Sequence, residues 1–136
     1  MKRVIHVFMV LSLLMSAGCA LPSISWTNAG LVNSWSNQTP TYQAVQYGKD
    51  SWGQVHIRGT ASHAYTTGSI GVFVLPADYC PSYPMVVSVG VQTAGGARSG
   101  YAWIYPNGVV SNQVQVGLDG STQFNYVYFG EIVFNP

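Results

Sequence analysis

Gln54-Val55-His56-Ile57-Arg58 is the segment from which the fold can be read. Polar and apolar residues alternate strictly in it. A strand turns successive side chains to opposite faces, so Val55 and Ile57 share one face and Gln54, His56 and Arg58 the other. The segment reads as a half-solvated antiparallel strand. Just before it, Tyr42 to Gly48 is a second such run, and Lys49-Asp50-Ser51-Trp52-Gly53 is a short polar connection, which predicts a hairpin. Downstream, Ile70 to Leu75 is nearly continuous apolar sequence ended by Pro76, the pattern of a core strand buried on both sides. Met85 to Gln92 follows a Pro81/Pro84 segment that suits neither a helix nor a strand interior. Arg98 to Tyr105 and Val109 to Val116 flank Pro106-Asn107-Gly108, a turn in which glycine supplies a positive φ. Asn125 to Phe134 is a final aromatic and β-branched run. No window shows helical spacing. About eight short strands predict an all-β fold, an antiparallel β-sandwich of jelly-roll-like form.

The 136 residues suit one domain, and with 48% hydrophobic residues the chain can build a core without disulfides. Only 7% of residues are charged, far below the quarter or so of an average domain, so the surface is polar but largely neutral. Beyond Lys2 and Arg3, three basic residues (Lys49, Arg58, Arg98) face four acidic ones (Asp50, Asp78, Asp119, Glu131), a net charge of −1. Such a chain has no field to draw phosphate, and nucleic acid is excluded as a partner.

Lys2 and Arg3 precede an apolar run of 12 residues, Val4 to Met15, broken only by His6 and Ser12. That is a signal-peptide pattern, too short for a membrane-spanning helix. Leu14-Met15-Ser16-Ala17-Gly18-Cys19 resembles a bacterial lipobox, which implies a leader over 1–18, a lipid on Cys19 and a short tether over 19–25, with the domain at 26–136. Ser16 stands where Leu is usual. Cleavage after Ala20 would instead remove Cys19 with the leader and give a secreted protein. With Cys19 acylated, Ala20 points by analogy to the outer membrane, and Cys80 has no partner and behaves as a small half-buried hydrophobe.

No catalytic or metal constellation can be read. A glycosidase needs two facing carboxylates, and Asp50, Asp78, Asp119 and Glu131 fall at no spacing that pairs them. His56 and His63 lack a nucleophile context and read as exposed strand or loop residues. No Cys or His pair has zinc-ligand spacing, so neither a metal nor a cofactor is expected. The aromatic residues are the better signal. Tyr101, Trp103 and Tyr105 share one strand face while Ala102 and Ile104 take the other, and Phe124, Tyr126 and Tyr128 are likewise in register. Tyr and Trp among Ser, Asn and Gly make a composition suited to sugars or neutral protein surfaces. Tyr101, Trp103, Tyr105, Tyr126 and Tyr128 are therefore the candidate ligand-binding residues.

The order of motifs resembles the C-terminal head domain of bacteriophage tail-fibre and baseplate receptor-binding proteins. It opens with Ala29-Gly30-Leu31-Val32-Asn33-Ser34-Trp35 and continues through Pro40-Thr41-Tyr42. Gly53-Gln54-Val55-His56-Ile57-Arg58-Gly59 then matches a G-x-V-x-L-x-G strand. Gly68, Val74-Leu75-Pro76-Ala77, Tyr83-Pro84, Ile104-Tyr105-Pro106-Asn107-Gly108-Val109 and Leu118-Asp119-Gly120 follow in the family's order. The resemblance implies a β-sandwich head, often a homotrimer, that binds host cell-surface glycan or protein on a virion tail and is not an enzyme. The leader departs from the pattern, since such heads usually end long fibre proteins. It favours a second reading, an anchored lipoprotein that masks a receptor against further phages. A third is a subunit that contacts only copies of itself.

Overall fold

The computed structural model describes residues 23–66, 69–113 and 124–136. The expected leader, Cys19, residues 114–116 of the expected Val109–Val116 strand, and Leu118-Asp119-Gly120 lie outside them. The described residues form nine strands: β1 Ser25–Asn28, β2 Ser36–Asn37, β3 Gln46–Lys49, β4 Val55–Thr66, β5 Ile70–Val74, β6 Met85–Thr93, β7 Gly96–Ile104, β8 Val109–Gln113 and β9 Phe124–Phe134. Every pairing is antiparallel, and one sheet runs β1-β3-β4-β9-β6-β7-β8-β5, with β2 beside β4. The segment after β1 returns to the far end of this order. There Leu31 bridges Phe73, and the Val32 N–H donates to the Val72 carbonyl at 2.9 Å. The sheet is thus curled until its ends meet, enclosing one face. The all-β antiparallel class is as the alternation predicts.

Alternation decides which side chains are enclosed. Val55, Ile57, Val127, Ala102, Ile104 and Val110 turn inward and are fully buried. The predicted hairpin pairs Lys49 with Val55, and Gly108 has the expected positive φ, +85°. Three expectations are corrected. β3 starts at Gln46 rather than Tyr42, because the backbone of residues 43–45 is engaged elsewhere. The Val45 N–H donates to Asn37 Oδ1, and the Gln43 carbonyl accepts from the Thr60 N–H, both at 2.9 Å. β5 is not buried on both sides, since Val74 is exposed: it pairs with β8 and on its other side meets residues 31–33, through the Leu31 bridge and the Asn33 Nδ2–H donated to the Gly71 carbonyl at 3.0 Å. A register shift between Gly71 and Phe73 turns both Val72 and Phe73 inward, so an unbroken apolar run serves a strand with one enclosed face. The outer face of β4 is not solvated throughout, since His56, Thr60 and Ser62 are all buried.

The pairings also sort the connections between two rims. At one rim, here the Ser25 rim, β1 begins, β3 turns into β4, β9 ends, residues 75–84 lead from β5 to β6, and Gly108 joins β7 to β8. The β6–β7 turn is at the opposite rim. β6 pairs with β9 only over its second half, from Gly90 to Thr93, so residues 85–89 and the end of β9 part toward the Ser25 rim.

Candidate functional site

The five aromatic candidates all lie on the outer face, and the structure stacks four of them in two pairs. Tyr128 stands between Thr60 and Gly90, and Tyr126 between Ser62 and Gln92. Their rings stack at 6.1 Å with planes 14° apart, and Tyr42 meets them edge-on at 6.4 Å from Tyr126 and 5.9 Å from Tyr128. Gly90 leaves room for this arrangement: a Cβ there would lie 3.3 Å from the Tyr128 Cβ. Burial raises the Tyr128 phenol above its ordinary pKa, and Tyr42 and Tyr126 reinforce the shift, so at neutral pH it is an uncharged donor. The second pair is Trp103 and Tyr105, stacked at 5.9 Å, with Trp103 opposite Val86 near the Ser25 rim. Trp103 Nε1–H donates to Gln113 Oε1 at 3.2 Å. Tyr101 lies opposite Ser88, and Ala102 and Ile104 are buried beneath, as the alternation requires.

Phe124 departs from the expected register. A shift in pairing on both sides of the start of β9 turns it into the core, where its ring lies 6.0 Å from Trp35. Tyr42 is the residue that sequence reading missed. It sits in the connection before β3, four residues short of any strand, and is brought to Tyr126 and Tyr128 by the crossing of residues 43–45 over β4. Its place after Pro40 in the head-domain motif order was the only signal.

His56 and two of the carboxylates also depart from expectation. His56 is buried, not exposed, and lies between two acids. Its Nε2 is 3.1 Å from Asp50 Oδ2 and its Nδ1 3.4 Å from Glu131 Oε1, while Trp26 meets the ring edge-on at 6.3 Å. Asp50 and Glu131 therefore do converge, although 81 positions separate them in the chain. Asp50 Oδ1 accepts from the Trp52 and Gln54 N–H groups at 2.9 Å each, which pins the β3–β4 turn. Burial pushes its pKa up, but the hydrogen bonds from His56, Gln54 and Trp52 outweigh this and leave it below the ordinary carboxylate value. With its oxygens so engaged, Asp50 serves as a turn anchor. Arg58 packs over Trp26 at 3.7 Å and donates twice to Gln46 Oε1, at 3.1 and 2.9 Å. His63 Nε2 lies 2.8 Å from the Asn33 carbonyl. The Cys80 thiol is half-buried, contacts the Pro76 carbonyl at 3.3 Å, and is raised in pKa by burial and by Asp78.

No family model matches the chain, and no curated protein matches it. Among solved structures, it is similar to the head domain of the lactococcal phage bIL170, a structure solved in asking whether the receptor-binding domains of lactococcal phages share a common fold. The TM-score is 0.62 at 13% identity, covering 83% of this chain and 98% of the other. At that identity the likeness is one of fold, and the chain has the fold of a phage receptor-binding head domain.

Proposed function

We propose that this chain is a non-enzymatic binding module of the receptor-binding head type, engaging a host cell-surface glycan or protein through its outer tyrosine patch. The observation that carries this reading is the patch itself, on a fold shared with a receptor-binding head. Tyr42, Tyr126 and Tyr128 present rigid, uncharged faces beside Thr60, Ser62 and Gln92, chemistry suited to stacking on a sugar ring or packing against a neutral protein surface. Tyr101 lies on the same outer face, two strands away. The family likeness adds a homotrimer, which sedimentation would check. The test is adsorption of the labelled full-length chain to arrayed bacterial surface glycans and to intact cells. Saturable binding that is lost in Tyr126→Ala/Tyr128→Ala supports the reading. No saturable binding by the wild type, or undiminished binding by the variant, overturns it.

A second reading keeps the binding module and places it on a cell, where it masks the receptor it engages. The lipobox-like Leu14 to Cys19 favours it. Membrane fractionation with intact mass separates the two: acyl mass on Cys19 supports the anchored form, and a soluble species lacking Cys19 supports the free one.

A further inference from the structure

Among the described residues, five of the seven exposed large hydrophobic side chains gather at one rim. Trp52 (72% exposed) and Tyr83 (81%) stand on connections at the Ser25 rim, and Val74 (49%), Val86 (51%) and Val133 (43%) face outward at the adjoining strand ends. Val32 and Tyr42 complete the seven elsewhere. The stacked Trp103 and Tyr105 belong to the same rim through the pairing of Trp103 with Val86. An aromatic and apolar collar of this kind, on a chain with so little charge, is the composition of a surface that sits at a membrane–water boundary.

The direction of the chain says which surface a membrane would meet. β1 enters the sheet at Ser25, on this rim, so a lipid on Cys19 would be joined to it by six residue steps, about 20 Å when fully extended. The 11 residues of β9 span about 35 Å. A tether that short holds the Ser25 rim, and not the opposite one, at the bilayer. We infer that the Ser25 rim docks on a lipid surface, with Trp52 and Tyr83 as its anchors. This rests on the anchored reading above. Two acids, Asp78 and Glu131, are exposed near the rim, and Lys49 is turned to the Asp78 carbonyl at 2.6 Å and to the Tyr79 ring. Docking therefore relies on interfacial insertion rather than on attraction to anionic headgroups, and it leaves the Tyr42, Tyr126 and Tyr128 patch clear of the membrane.

The test uses the full chain, expressed behind its own leader in a Gram-negative host and checked by intact mass. Acylated protein is placed in phosphatidylcholine vesicles with and without brominated acyl chains. The Trp52 signal is taken as the difference between wild type and Trp52→Phe. The inference predicts loss of Trp52 emission in brominated vesicles, unchanged by high salt. Acylated protein whose Trp52 emission is not quenched overturns the docking while leaving the anchor standing. Protein without acyl mass overturns the anchored reading and the docking with it.

Discussion

Gly59→Ala tests the crossing that delivers Tyr42 to the tyrosine patch. Gly59 has φ +109°, and a Cβ there would stand 2.2 Å from the Ala44 carbonyl oxygen, 2.6 Å from its carbon and 2.7 Å from the Val45 Cα. All three are backbone atoms, so no side-chain rotation relieves the overlap. The positive φ alone costs about 1–2 kcal/mol. Displacing residues 43–45 also strains the Thr60–Gln43 and Val45–Asn37 hydrogen bonds, each worth about 1 kcal/mol. The total is about 3–4 kcal/mol, or roughly 12–16 °C in Tm for a domain of this size. Gly53→Ala is the control. Its φ is +83° but nothing lies within 4 Å of the added Cβ, so only the conformational cost remains, about 1–2 kcal/mol. Thermal and urea unfolding of the two variants, with near-ultraviolet circular dichroism to follow the tyrosine cluster, reads the difference. Equal losses in both would refute the close crossing.

Phe73→Ala removes a fully buried ring that meets Phe129 edge-on at 5.7 Å, and should cost about 3–5 kcal/mol in urea unfolding. Because the pKa of Asp50 is lower folded than unfolded, its contribution is present above the unfolded value and is lost as pH falls through the folded one. Wild type should thus lose stability on acidification below about pH 4 more steeply than Asp50→Asn, as denaturant midpoints across that range would show. The raised pKa of Cys80 predicts maleimide labelling near pH 8 slower than that of a free thiol, with the rates brought together by urea.

Much of the fold was legible because local rules and tertiary structure agree in it. The alternation of residues 54–58 and 101–105, the hairpin around Asp50 and the turn at Gly108 all formed where the side-chain period and the turn residues put them. Two of the failures came where a shift in register intervened. The bulge in β5 lets one enclosed face use an unbroken apolar run, and the shifts at the start of β9 take Phe124 out of the face shared by Tyr126 and Tyr128. Period-2 reasoning carries no signal for a bulge. The meeting of His56 with Asp50 and Glu131 was illegible for another reason. It depends on β4 lying between β3, whose turn carries Asp50, and the last strand, a topology that spacing along the chain does not encode. The aromatic candidates were visible as residues, but their division between a tyrosine patch and the Ser25 rim emerges only once the strand order is known.

The most direct test of the central claim is adsorption to susceptible bacterial cells, measured in parallel for wild type, Tyr126→Ala/Tyr128→Ala and Trp103→Ala/Tyr105→Ala, each first shown to be folded. Substitution of the β9 pair should abolish binding, and substitution of the rim pair should leave it intact. Binding that survives the first substitution and disappears with the second would contradict the claim.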